Sequence, residues 1–183
     1  KDNEIWNLNS EKDSSSTATA SSRAIYHMST IAEVNKTVIS GNIIRNVFGV
    51  EGDAIHVIFN GGNAHLDSRT SIKDNDIDGF SRRAIKVQAN GVKVKNNEIE
   101  SKQLKADFPN LNTAIDIQYS SGCDVVGNTV DVQDMGCIQV YGGNSANLPN
   151  ARNNVVKGNT VKLRQPSNIN GYAIYCERMY DSV

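Results

Sequence analysis

Apolar residues in this chain come in short runs, alternate with polar ones, and stop at turn-forming residues. The pattern is plainest at Val92-Lys93-Val94-Lys95-Asn96-Asn97-Glu98-Ile99, a β-prone run, an Asn-Asn bend and a second run. The same shape recurs at Ile39-Ser40-Gly41-Asn42-Ile43-Ile44, Ile72-Lys73-Asp74-Asn75-Asp76-Ile77, Val125-Val126-Gly127-Asn128-Thr129-Val130 and Val156-Lys157-Gly158-Asn159-Thr160-Val161. Asn3-Glu4-Ile5 forms the second half of another copy. Aligned on the Asn, the residue before it is always Gly, Asp or Asn, the types that tolerate positive φ, so the alignment predicts a left-handed bend between two strands. The flanking Ile and Val columns point to one side and would stack as a core. The repeated Asn is placed to form an amide ladder from copy to copy.

A second motif lies between the bends. It reads Ala24-Ile25-Tyr26, Ala54-Ile55-His56-Val57, Ala84-Ile85-Lys86-Val87, Ala114-Ile115-Asp116-Ile117, Cys137-Ile138-Gln139-Val140 and Ala173-Ile174-Tyr175-Cys176. The first four copies stand thirty residues apart. A strand-rich repeat of this length, with no sustained helical period, predicts an all-β solenoid. Strands are predicted over 3–8, 23–28, 37–47, 53–59, 70–77, 83–88, 92–100, 114–119, 123–132, 137–141, 155–163 and 172–177. That makes about six coils of three short strands each, paired in parallel from coil to coil. Loops are read over 10–22, around Gly61-Gly62-Asn63, over 102–112 with Phe108-Pro109, and over 142–153. The connection 29–36 is expected to hold a short turn of helix. Insertions of variable length gather beside the Ala-Ile strands, and such a face of a solenoid is often the one that binds.

Composition narrows the picture. A formal net charge of −1 argues against a dedicated nucleic-acid binder. No apolar run is long enough to span a bilayer and no signal peptide is present, so membrane insertion is not expected. The 183 residues suit one domain, which starts inside a repeat and is read as part of a longer chain whose caps are missing. Cys123, Cys137 and Cys176 have no metal-binding spacing and are read as free thiols; neither a metal nor a cofactor is implied.

Alternation places the Ile of each Ala-Ile pair inward and the next residue outward. The outward column is then Tyr26, His56, Lys86, Asp116, Gln139 and Tyr175. Two residues on, it is Met28, Ile58, Gln88, Gln118, Tyr141 and Glu177. The residue before the Ala adds Arg23, Asp53, Arg83, Thr113, Gly136 and Tyr172. Rings, amides and charges on neighbouring rungs are the composition of a glycan-binding groove. Tyr26, Arg83, Gln88, Gln118, Gln139, Tyr141 and Tyr175 are the candidate substrate contacts. Asp53, His56, Lys86, Asp116 and Glu177 are the candidate catalytic groups. Glycoside hydrolysis uses two carboxyls, about 5–5.5 Å apart for retention or about 6.5–9.5 Å for inversion. Asp53 with Asp116, and Asp116 with Glu177, stand two coils apart. Polysaccharide lysis instead uses a base and cations that neutralise a uronate, for which His56, Arg83 and Lys86 are available. Asp53 opposite Arg83 also reads as a plain surface ion pair.

The Val-x-x-Asn-x-Ile bends and Ala-Ile-x-Val strands resemble the right-handed parallel β-helix of the pectin-lyase-like superfamily. The irregular spacing and the Ser/Asn-rich loops look most like bacteriophage tailspikes. That resemblance implies a homotrimer on the virion tail that binds and cuts a bacterial surface polysaccharide, capsular or O-antigen. The pectate-lyase pattern of an Arg near a Pro with a calcium-binding Asp cluster is not matched. Two other functions fit the same residues. One is a non-catalytic adhesin or shaft; the other is a secreted bacterial uronate lyase or epimerase.

Overall fold

The structure is a computed structural model and describes residues 1–9, 21–61, 65–143, 151–164 and 171–181. Most of the loop read over 10–22, Gly62 and Asn63 of the next loop, and most of the loop over 142–153 lie outside the described residues. The described residues are all-β: no helix occurs among them, and hence none long and apolar enough to cross a membrane.

Three parallel sheets account for nearly every strand. Sheet A stacks β1 (Glu4–Asn9), β4 (Ile43–Phe48), β7 (Asp76–Phe80), β10 (Glu98–Ser101), β13 (Thr129–Gln133) and β17 (Thr160–Arg164). Sheet B stacks β2 (Arg23–Ser29), β5 (Asp53–Phe59), β8 (Arg83–Gln88), β11 (Thr113–Gln118), β14 (Gly136–Tyr141) and β18 (Ile174–Glu177). Sheet C stacks β3 (Val38–Ser40), β6 (Ser71–Lys73), β9 (Lys93–Lys95), β12 (Asp124–Val126) and β16 (Val155–Lys157). A short pair, β15 (Ala151–Arg152) with β19 (Met179–Tyr180), adds to the last turns. The chain visits B, C and A in rotation, and each strand pairs with its counterpart one circuit away. This is the coil-on-coil stacking of a solenoid.

The bend between sheets C and A has the predicted backbone. Gly41, Asp74, Asn96, Gly127 and Gly158 all lie at positive φ, between 53° and 69°. The Asn that follows each of them locks one coil to the next. The backbone N–H and side-chain amide of Asn42 both donate to Asn75 Oδ1, at 3.1 and 2.7 Å. Asn75 donates in the same way to Asn97 (3.1 and 2.8 Å), Asn97 to Asn128 (3.0 and 2.9 Å), and Asn128 to Asn159 (2.9 and 3.0 Å). The amide also reaches back to a carbonyl of the preceding coil, Asn97 Nδ2 to Ile72 O at 3.1 Å and Asn128 Nδ2 to Val94 O at 3.0 Å. Asn42, Asn75, Asn97 and Asn128 are at most 1% exposed, so each unmade bond here would leave a dry polar group.

The core is the inner face of the three sheets. Ile55, Ile85, Ile115 and Ile138 of sheet B are fully buried, as are Ile44, Ile77 and Val130 of sheet A and Ile72 and Val94 of sheet C. Each fully buried aliphatic contributes roughly 1.5–3 kcal/mol by leaving water. Two of the three thiols are in the dry interior: Cys123 and Cys137 are buried and Cys176 is exposed, all unpaired.

The connection 29–36 forms no helical turn. Glu33 tacks it to the neighbouring coil instead: its N–H donates to Asp67 O at 2.9 Å, and its carboxylate accepts from Ser68 Oγ at 2.9 Å and Arg69 N at 2.6 Å. Those contacts are non-local and replace the i to i+4 bonds of a helix. The insertion 102–112 turns at Leu104, whose carbonyl accepts from the N–H groups of Asp107 and Phe108 at 3.0 Å. It is anchored by Phe108, stacked on Phe48 with ring centroids 5.1 Å apart.

Replacing Asn97 by Ala would remove four ladder bonds and leave dry donors and acceptors on both neighbouring coils. At about 1–3 kcal/mol per unsatisfied group, the loss should be roughly 3 kcal/mol or more. Urea unfolding of Asn97→Ala beside the parent chain measures it, and an unchanged midpoint would remove the ladder from the account of stability.

Candidate functional site

Sheet B carries its chemistry on the face away from the core. Lys86 pairs in register with His56 on one side and Asp116 on the other, and Asp53 pairs with Arg83. Asp53 and Arg83 have the same parity as the inward Ile55 and Ile85. They stand at the coil corner where each strand begins, and there alternation does not hold. Their side chains reach the same cluster as His56, Lys86 and Asp116.

Arg83 joins the two carboxylates. Its Nε donates to Asp116 Oδ2 at 2.5 Å and its Nη1 to Asp53 Oδ1 at 3.4 Å. Asp116 Oδ2 also accepts from Gln118 Nε2 at 2.6 Å. Asp116 Oδ1 and Asp53 Oδ2 have no hydrogen-bond partner among the described residues. Lys86 Nζ stands 4.0 Å from Asp53 Oδ2. The cluster is covered: Asp53 is 0% exposed, Asp116 1%, His56 and Arg83 3%, and Lys86 and Gln118 7%. Alternation aims these side chains away from the core, but it does not leave them in water. Arg83 and Gln118 sit on Asp116, and Arg23 and Gln88 on His56. Asp53 and Arg83 are therefore a buried pair rather than a surface one.

The electrostatics follow from that burial. Dehydration pushes the Asp116 carboxyl above its ordinary range, against the opposing pull of Arg83 and Gln118. Burial also lowers Lys86, against the pull of Asp53. Arg83 loses hydration too, but the Asp116 and Asp53 carboxylates more than compensate and hold it cationic. Burial raises the Tyr141 phenol, and the nearby Asp116 charge adds to the effect.

His56 is not the free base that its column suggested. Arg23 Nε donates to its Nδ1 at 3.0 Å. A guanidinium only donates, so Nδ1 is the acceptor and the ring proton sits on Nε2. That proton points to Gln88 Oε1 at 3.0 Å. Both ring nitrogens are occupied. Burial, with Lys86 adding like charge, lowers the ring to about 3. Gln88 therefore holds a protein side chain in this state.

The remaining candidates divide between rim and cluster. Tyr26 is 47% exposed, tilts against His56 with centroids 5.2 Å apart, and lies under the Arg23 guanidinium at 4.8 Å. Tyr141 meets Tyr119 edge-on at 4.9 Å. Gln139 accepts from Thr113 Oγ1 at 3.1 Å and from the Tyr172 hydroxyl. Tyr175, 38% exposed, donates to Glu177 Oε2 at 2.7 Å. Glu177 pairs in register with Tyr141, and Tyr141 with Gln118, so Glu177 is displaced by two residues along the strand from Asp116 and is bound to Tyr175 and Arg178 instead.

Sequence reasoning left three contributors out. Glu51, in the turn ahead of β5, binds Arg82 Nη1 at 2.7 Å and also binds Arg23. Tyr119 and Tyr172 flank Tyr141 and Gln139. Glu51 lies between strands, where period-two reasoning assigns no direction; alternation puts Tyr119 at the inward end of the 114–119 strand, but it stands at positive φ just past β11 (Thr113–Gln118); Tyr172 stood in a column but was not given a role. A separate groove of about 390 Å³ lies between β2 and the 30–37 connection, lined by Met28, Ile31, Val34 and Phe59 among others. It holds none of the predicted site residues. No group of His, Cys, Asp and Glu among the described residues is arranged to hold a metal.

The unfolded chain takes up a proton on His56 near pH 6.5, the folded chain only near about 3. Between those values the unfolded state holds more protons, so stability falls as pH drops, by up to about 1.4 kcal/mol per pH unit. Urea midpoints measured from about pH 7 down to about pH 4 should fall more steeply for the parent chain than for His56→Gln. Parallel curves would show that His56 is protonated in the fold.

No family model matches the chain, and no curated protein or solved structure is significantly similar to it.

Proposed function

We propose that this chain is part of a right-handed parallel β-helix of tailspike type, about six coils long, that binds and cleaves a bacterial surface polysaccharide on the outer face of sheet B. The handedness follows from a general rule: crossovers between parallel strands of one sheet are right-handed in roughly 98% of cases. The observation that carries the functional reading is the state of Asp116. One oxygen is held by Arg83 and Gln118, the other is unpaired, and the carboxyl is shifted towards its protonated form. Such a group protonates a glycosidic oxygen as a general acid. Asp53 lies on the far side of Arg83, whose guanidinium contacts both carboxylates, so the two acids face one place on the sheet. Tyr26 and Tyr175, exposed at either end of the sheet, offer ring faces to sugar C–H surfaces. Assembly as a homotrimer on a virion tail belongs to the same reading.

A non-catalytic shaft or adhesin is the second reading. It is favoured by one observation: Arg83 pairs with both carboxylates in a covered position, as in a structural ion network. A secreted uronate lyase or epimerase is disfavoured by His56, whose ring nitrogens are both engaged.

Incubation with a panel of capsular polysaccharides and O-antigens decides between them. The expected result is release of reducing ends without the ultraviolet absorbance of an unsaturated uronate. Asp116→Asn should lower that rate by about 10²–10⁴-fold, the usual contribution of a general acid. Because Asp116 is buried against Arg83, the Asn variant should fold but unfold at lower temperature. Unchanged turnover in a folded Asp116→Asn chain would remove Asp116 from the site. No reducing ends from any glycan that the chain binds would favour the shaft.

A further inference from the structure

We infer that the polysaccharide handled by this face is acidic, and that Lys86 receives a sugar carboxylate. This rests on the polysaccharide reading above and narrows it. The cluster contains four cations, Arg23, Arg82, Arg83 and Lys86, and three carboxylates, Glu51, Asp53 and Asp116. His56 adds no charge, because its Nδ1 lone pair is taken by Arg23. Arg23 and Arg82 are both bound to Glu51, and Arg83 is bound to both aspartates. Lys86 is left over. Its side chain is 9% exposed, and its closest carboxylate oxygen, Asp53 Oδ2, stands at 4.0 Å, beyond hydrogen-bond reach. Among the described residues the ammonium donates no hydrogen bond.

An ammonium has three donors, and Lys86 Nζ, which is not itself sealed from solvent, keeps them open to an incoming ligand. Two oxygens on the flanking strands are open, Asp53 Oδ2 and Asp116 Oδ1, but neither bonds the ammonium: Asp53 Oδ2 stands at 4.0 Å, and both carboxylates already answer Arg83. His56 presents two engaged nitrogens, and Asp116 Oδ2 is taken by Arg83 and Gln118. A sugar hydroxyl would accept one bond and leave the surplus charge in place. A carboxylate would accept two and cancel it. Charge-assisted bonds of this kind are roughly twice as strong as neutral ones. Lys86 lies on the strand next to Asp116, one spacing or about 4.8 Å away. The carboxylate would therefore sit on a ring at or beside the bond to be cut. Lys86 here is a binding group, not a base.

The test uses the full chain with hyaluronan, polygalacturonate and polysialic acid, each beside the same polymer after its carboxyls are reduced to alcohols. Titration calorimetry should show at least one acidic polymer bound, with its reduced form about tenfold weaker or worse. Lys86→Met should weaken the acidic polymer by a similar factor and leave the reduced one unchanged. The comparison of native and reduced polymers needs no mutant, so it decides the matter even if Lys86→Met fails to fold. Equal affinity for the two forms would overturn the inference, as would full affinity in a folded Lys86→Met chain. If only neutral glycans of the earlier panel are bound or cut, the inference falls and the polysaccharide reading stands. If no glycan of either kind is bound, both fall.

Discussion

The Asn column is the constraint from which the rest of the structure follows. Each Asn side chain accepts two bonds from one neighbouring coil and donates to the other neighbour and to a carbonyl behind it. All of these bonds run along the stacking direction. A slip of one residue would break them together and turn a row of Ile and Val outward. Register is therefore set by polar bonds and by the apolar columns at once. The described loops beside sheet B are tied from coil to coil by a less regular set, such as Glu33 with Ser68 and Arg69, Asn90 with Ser121, and Asn154 with Cys123, and they differ in length.

Fixed register makes distant residues neighbours. His56, Lys86 and Asp116 are thirty residues apart in sequence and one strand spacing apart in the fold. Chemistry at a solenoid surface is assembled this way, one side chain per coil. On sheet B the assembled groups are large and charged, and they cover one another. Their hydration is lost, so each must find a partner or change its protonation state. Arg83 answers for both aspartates, burial keeps His56 neutral with Arg23 on its Nδ1, and Lys86 is left with donors that no side chain takes. The unpaired oxygens of Asp116 and Asp53 belong to the same arrangement.

Much of this was legible in the chain. The Gly/Asp/Asn position ahead of each repeated Asn announced the left-handed bend, since few residues tolerate it. The Ala-Ile motifs placed Ile55, Ile85, Ile115 and Ile138 in the core, and they aligned His56, Lys86 and Asp116 on consecutive rungs. Exposure was not legible. Alternation reports direction relative to the core and says nothing of what stands over a side chain. The tautomer of His56 depended on Arg23 one coil away, and the course of the 29–36 connection on contacts of Glu33 with the next coil. Those are non-local facts with no period of their own.

The sequence by itself determined the repeat, the bends, the inward columns and the register, because each is a local preference copied five or six times and reinforced by stacking. Only the tertiary structure decided which outward groups are dry, which nitrogen of His56 carries its proton, and which of the cations is left without a hydrogen bond. Those outcomes depend on how long side chains from different coils fold over one another, a matter of distance and dehydration that no single strand encodes.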